Sequence, residues 1–173
     1  MPKKALIIVD MLNDFIHEKG ALFCGPEARA IIPFIRQRQA DFRRQGNMVI
    51  YLQDSHDVDD REFEKFPRHC ITGTWGGEII PELAPLPDET IIPKQRYSGF
   101  YGTDLENLLL KAAVEEVEVA GVCTSICVMD TVGGLANRDY PVKVPAKGVA
   151  DFNEEFHNFA LKRMQQLYGA EIL

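Results

Sequence analysis

Six short stretches of this chain are apolar almost without interruption: ALIIVD (5–10), MVIYLQD (48–54), TIIPK (90–94), VEVAGV (117–122), YPVKVPA (140–146) and AEIL (170–173). A strand with one wet face alternates apolar and polar side chains. A strand covered on both faces need not, so runs of this kind point to a sheet buried on both sides. Helical periodicity fills the intervals, over 27–46, 103–114, 125–137 and 153–169. Ser, Thr, Asn or Asp stands before the last three as a cap, and Gly46, Asn137 and Gly169 close three of the four. Strand and helix alternating along the whole length predict the α/β class, a doubly wound, three-layer sandwich with a parallel sheet between two layers of helix. Ligands in such folds bind at the carboxyl ends of the strands.

At 173 residues the chain has the size of a single domain that buries its core without disulfide staples. Its start, MPKKALIIVD, shows no signal-peptide layout, and no apolar stretch reaches membrane-spanning length. The expectation is a cytoplasmic protein whose four cysteines, Cys24, Cys70, Cys123 and Cys127, are reduced. Net charge is −7, from 19 basic and 26 acidic residues, which argues against nucleic acid as a partner. The densest basic run, RQRQADFRR (36–44), has helical spacing and reads as a solvated helix face. One stretch, 55–89, lacks strong periodicity and is rich in His, Asp, Glu, Pro and Gly. An insertion this long in a compact domain is usually functional or disordered, and its HCITGT and WGG segments favour an ordered, functional loop.

Three strand ends carry residues with chemistry to offer. Asp10 ends the first strand, where a carboxylate is either a turn former or a catalytic group. Lys94 ends IIPK, a place where most lysines face solvent. Cys127 follows VEVAGV and its turn, two or three residues into the next helix with Thr124 or Ser125 as cap, where the dipole predicts a lowered thiol pKa. Cys123 sits in the turn before that helix. A C-x-x-x-C pair can be a disulfide, a metal clip, packing, or a nucleophile with a neighbour; without a second ligand pair the zinc reading is weak. Cys24 and Cys70 read as small buried apolar residues. The insertion adds Asp54 and His56 in D-S-H, Glu62 in REFEKF and His69 in FPRHC. These suit Zn²⁺, or Mn²⁺ or Fe²⁺ with waters completing the shell, with Asp57 and Glu64 as substitutes for Glu62.

Five motifs in order, D-x-x-N-D-F (10–15), D-x-H (54–56), F-P-x-H-C-x-x-G-T (66–74), K-x-R-Y-S-x-F (94–100) and G-V-x-T-x-x-C-V (121–128), resemble the isochorismatase-like cysteine hydrolase superfamily in its nicotinamidase branch. The resemblance runs nearly end to end. It implies a six-stranded parallel sheet and a triad of Asp10, Lys94 and Cys127. It further implies an oxyanion hole from the backbone N–H groups of Cys123 and Cys127, with a cis peptide between Val122 and Cys123. Asp54, His56 and His69 become metal ligands, and Glu62 stands where the commonest pattern has a third His. Phe15, Phe66 and Tyr97 become walls for the substrate ring, and the assembly a homodimer or homotetramer. The activity implied is hydrolysis of a small-molecule amide, nicotinamide first.

Several rivals stand beside this reading. An isochorismatase proper need not use a cysteine or the metal loop, and the presence of both argues against it. Carbamoyl or ureido amides remain open as substrates, since pocket walls are read poorly from sequence. A non-catalytic binding module would be marked by loss of a triad residue, and a redox protein by oxidation of Cys123 with Cys127.

Overall fold

The computed structural model describes residues 3–173. Among these residues, seven strands form one sheet: β1 (Lys4–Val9), β2 (Met48–Asp54), β3 (Thr90–Lys94), β4 (Glu116–Val122), β5 (Val142–Val144), β6 (Val149–Ala150) and β7 (Glu171–Ile172). They run in the order β3-β2-β1-β4-β5-β7, with β6 also on β4, and every pairing is parallel. The six positions expected from the sequence are present. One is filled by two pieces: β5 pairs with Val117 and Glu118, then leaves, and β6 pairs with Gly121 and Val122 farther along β4. Two residues are too few to show a hydrophobic pattern, so β6 could not be read in advance.

The sheet is covered on both faces, as its uninterrupted apolar runs require. On one face Leu6 and Ile8 of β1 pack in a core with Ile35 and Phe42 of α3 (Ile32–Arg44) and with Cys70, Ile80 and Leu83 of the insertion. On the other, Ile7 and Val9 pack with Leu105 and Leu109 of α4 (Leu105–Lys111), Val132 of α5 (Met129–Ala136) and Met164 of α6 (Glu154–Tyr168). The short α1 (Asn13–Ile16) and α2 (Pro26–Ala30) complete the set. The long helix expected over 27–46 is broken at Ile31, and Pro33 has no N–H with which to bond back across the break. A single turn such as α1 is too short for a periodicity argument. The basic run on α3 is less solvated than it reads: Arg38 bonds Glu118 at 2.7 Å through two nitrogens, and Arg43 bonds Glu89 at 2.7 and 2.8 Å.

The insertion is ordered. His56 N–H donates to Cys70 O at 2.9 Å, Thr72 N–H to His56 O at 3.0 Å, and Ile80 N–H to Met11 O at 3.0 Å. Asp14, in α1, accepts from Cys70 N–H at 2.7 Å and from Ala21 N–H at 3.0 Å, so two loops are pinned to the end of β1 through one carboxylate. Among the described residues, no helix is long and apolar enough to cross a membrane.

Gly121 shows how closely β1 and β4 approach at the site end of the sheet. It faces Val9 in register with φ at 118°, and a Cβ there would lie 2.1 Å from Val9 O. Only glycine adopts that conformation cheaply. Gly121→Ala is therefore expected to destabilise the fold by roughly 3 kcal/mol, from backbone strain and overpacking together. A urea midpoint equal to that of the parent would refute this.

Candidate active site

The parallel register brings the strand-end residues together. Asp54 and Lys94 are partners across β2 and β3, and Asp10 follows β1 next to them. Asp10 has φ at 50° and donates its N–H to Leu52 O at 3.0 Å; its Oδ1 accepts from Asp54 N–H at 3.0 Å. Lys94, far from facing solvent, is 2 % exposed. Its three ammonium protons have three acceptors: Asp54 Oδ1 at 2.7 Å, Arg96 O at 3.0 Å and Cys127 Sγ at 3.5 Å. Asp10 Oδ2 lies 2.9 Å from the same nitrogen. This ion pair is buried on both sides, and Asp10 is also within hydrogen-bonding reach of the Cys127 thiol. Asp10, Lys94 and Cys127 thus form one contact group, in which the carboxylate is ion-paired to the ammonium beside the thiol.

Cys127 does not sit in an ordinary first helical turn. Thr124–Val128 is a wide turn of π geometry in which Val128 N–H reaches Cys123 O at 3.2 Å, and α5 begins only afterwards. Neither Thr124 nor Ser125 caps it, contrary to the sequence reading. The cap comes from a distant segment: Asp151 Oδ2 accepts from Ser125 N–H at 2.8 Å, while Thr124 Oγ1 lies 2.8 Å from His157 Nδ1. The Val122–Cys123 peptide is cis, and all four cysteines are free. The Cys123 thiol touches Cys24 Sγ at 3.3 Å, so Cys123 and Cys127 are not a disulfide.

The expected lowering of the Cys127 pKa is overturned. Burial pushes this thiol well above its usual value; Lys94 opposes the rise without cancelling it, and Asp10 and Asp54 add to it. A helix dipole acting through one distorted turn is too weak to offset full desolvation. Burial also pushes the Asp10 carboxyl up to about 6 against the pull of Lys94. Burial disfavours charge on Lys94 as well, yet Asp10, Cys127 and Asp54 together raise its pKa well above the ordinary value. At neutral pH the group therefore holds a thiol, a carboxylate and an ammonium, and the thiol must lose its proton as it reacts.

Asp54, His56, Glu62 and His69 form the second cluster. They are all buried, with ligand atoms within 4.8 Å of one another. Asp54 Oδ2 lies 3.1 Å from His56 Nε2 and 3.6 Å from His69 Nε2, and Glu62 Oε1 lies 4.0 Å from His69 Nε2. Each imidazole has its other nitrogen engaged: His69 Nδ1 at 2.7 Å from Pro67 O, and His56 Nδ1 at 3.0 Å from Asp60 Oδ2. Two nitrogens and two carboxylates converging this closely require positive charge among them. Protons supply it in part: burial works against charge on His56, but Asp54 and Asp60 push its pKa up to about 9. A divalent cation fits the same donor set. Asp57 and Glu64 do not join it. Asp57 accepts from Gln95 at 3.1 Å, and Glu64 faces Arg61 at 3.8 Å on the surface.

Both clusters open on one cavity of about 420 Å³, lined by Asp10, Asp54, Glu62, His69, Cys123 and Cys127 together with Phe15, Phe66 and Tyr97. Leu22, Phe23, Ile126 and Phe152 extend its apolar wall; these four escaped the sequence reading, because side chains from unrelated loops share no pattern. Asp60 and Arg96 escaped it too. Arg96 lay inside the quoted K-x-R-Y motif, and Asp60 lies four residues after His56 in a polar run; only the fold shows that they meet.

Fold and site together define a class, a three-layer α/β hydrolase whose pocket holds a buried thiol. The isochorismatase domain family matches residues 4–173. Nicotinamidase PncA from Bacillus subtilis superposes with a TM-score of 0.93 at 39% identity, over 98% of both chains. N-carbamoylsarcosine amidase from Thermoplasma acidophilum has a TM-score of 0.90 at 35% identity, over 98% of this chain and 95% of that one. Pyrazinamidase of Pyrococcus horikoshii, solved in complex with zinc, has a TM-score of 0.93 at 32% identity, over 99% of both. This chain belongs to the isochorismatase family and is a hydrolase of that family.

Proposed function

We propose that the protein is a metal-dependent cysteine amidohydrolase converting nicotinamide and water to nicotinate and ammonia. The observation that carries this reading is the opening of two chemically distinct groups, the thiol group and the Asp/His/Glu/His group, on one pocket with an aromatic wall. Such a wall suits a flat ring better than a flexible polar chain.

Cys127 Sγ attacks the amide carbonyl while the Asp10 carboxylate, within hydrogen-bonding reach of the thiol, takes its proton. The N–H groups of Cys123 and Cys127 receive the developing oxyanion. Collapse expels ammonia, which leaves with the proton held by Asp10, and a thioester remains on Cys127. Asp10 then draws a proton from water as it attacks the thioester, and the acid departs as the thiol is restored. Lys94 holds Asp10 and Asp54 in place and offsets the charge that grows on sulfur. Asp54, His56, Glu62 and His69 would hold the divalent ion, which when bound supplies a Lewis-acidic contact for a heteroaromatic nitrogen.

Ammonia release from nicotinamide, pyrazinamide and N-carbamoylsarcosine tests the reading. Nicotinamide is expected to turn over fastest, and prior chelation to abolish turnover until Zn²⁺, Mn²⁺ or Fe²⁺ is restored. The 35% identity to N-carbamoylsarcosine amidase supports a second reading, a carbamoyl amide as substrate. Turnover of the carbamoyl compound without turnover of nicotinamide would keep the mechanism and replace the substrate.

A further inference from the structure

Two residues outside the proposed catalytic group and ligand set connect them. Asp60 places its carboxylate, 4 % exposed, against three donors at once. Its Oδ2 lies 3.0 Å from His56 Nδ1 and 3.0 Å from Arg96 Nη1, and its Oδ1 accepts from Arg96 Nη1 at 3.1 Å and from Glu62 N–H at 2.8 Å. Arg96 in turn has its guanidinium 3.9 Å from Glu62 Oε2, while its carbonyl accepts from the Lys94 ammonium at 3.0 Å. A short chain of polar contacts therefore runs Lys94, Arg96, Asp60, His56, with Glu62 held at its side.

We propose that Asp60, clamped by Arg96, is the positioning residue that makes His56 a metal ligand, by fixing its ring with the proton on Nδ1 and the lone pair of Nε2 turned into the cluster. The inference rests on the metal reading above and adds to it two residues and a tautomer. An ionised carboxylate only accepts, so Nδ1 must donate to it. Nε2, 3.1 Å from Asp54 Oδ2 inside the cluster, is then the nitrogen that gives up its proton when a cation takes its place. The same carboxylate caps the turn Arg61–Glu64 through Glu62 N–H, so one side chain sets the position of two ligands. Arg96 engages both carboxylate oxygens and leaves Asp60 little freedom to rotate. Outer hydrogen bonds of this kind typically change metal affinity by about 10- to 100-fold.

Asp60→Asn is the informative substitution. If its amide oxygen keeps the Glu62 N–H bond, the NH₂ faces His56 and donates where the carboxylate accepted. His56 then has to present a lone pair at Nδ1 and carry its proton on Nε2, which blocks ligation. The turn keeps its cap, so the fold survives where Asp60→Ala would loosen it. The readout is the dissociation constant for Zn²⁺, from competition with a chromogenic chelator in the absence of any amide, with thermal unfolding of the metal-free proteins as the check on folding.

Asp60→Asn is expected to weaken Zn²⁺ binding at least tenfold. Arg96→Gln should weaken it severalfold, with Arg96→Lys falling between Arg96→Gln and the parent. Arg61→Gln, an exposed charge on the same turn, should not change it. The visible spectrum of the Co²⁺-loaded protein is expected to shift in Asp60→Asn and not in Arg61→Gln. Parental Zn²⁺ affinity in a folded Asp60→Asn overturns the inference while leaving the amidase reading intact. A parent protein that binds none of Zn²⁺, Mn²⁺ or Fe²⁺ overturns the metal reading and this inference together.

Discussion

Cys127→Ala is expected to lower amide turnover by about 10⁴-fold or more, the scale seen when a nucleophile is removed from a group that acts as a unit. The rest of the protein should barely notice. The side chain is small and buried, and the substitution removes one polarisable atom with weak hydrogen bonds, so the urea midpoint should stay near that of the parent. Cys123→Ala is the matched control. Its backbone N–H survives the change, and its thiol only touches Cys24 Sγ at 3.3 Å, so turnover should remain within about tenfold of the parent. A two-thiol clip or redox pair would make the substitutions equally damaging. Full turnover in Cys127→Ala, measured as ammonia release, would remove the thiol from the mechanism.

Lys94→Met is expected to be the most destabilising single change at the site. The ammonium is 2 % exposed and stands between Asp10 at 2.9 Å and Asp54 at 2.7 Å. Met has a similar length and would fill the space, so the loss is electrostatic rather than a cavity. Two buried carboxylates would then face each other with no cation between them. Breaking a buried ion pair by removing one partner costs about 3–5 kcal/mol. Asp10→Asn added to Lys94→Met should recover part of that, since one of the two unpaired charges goes with it. The check is a double-mutant cycle by urea unfolding of metal-free protein at neutral pH. Parental stability in Lys94→Met would show that the cluster is not charged as described.

The sheet was legible in the sequence for a physical reason. A strand buried on both faces has no choice but to be apolar along its length, and all six runs end within two residues of an observed strand end at their carboxyl side. The site was legible because its residues sit at those ends, where the apolar run stops and a single Asp or Lys follows. What could not be read were features set by tertiary distance. The cap on the Cys127 turn comes from Asp151, 26 residues after Ser125. The direction of the Cys127 pKa depends on desolvation, which no local motif encodes. Glu62 was named in advance, but the bond from its N–H to Asp60 Oδ1, which caps its turn, was not. Asp60 itself was one acid among several until the fold placed it under His56.

The order of strands has a consequence for synthesis. β1 lies between β2 and β4, and its neighbours are made long apart. A chain emerging amino end first can pair β1, β2 and β3 as soon as they are available, gathering Asp10, Asp54 and Lys94 while water still reaches them. β4 and Cys127 come afterwards. In that interval the second edge of β1, Ala5–Val9, wholly buried in the finished protein, is an open ladder of unpaired backbone groups on an apolar strand, the feature most prone to recruit another chain. Pairing of β4 with β1, from Lys4 opposite Glu116 to Val9 opposite Gly121, closes that edge. A chain arrested after β3 has emerged and before β4 follows would therefore expose that edge on a half-built sheet.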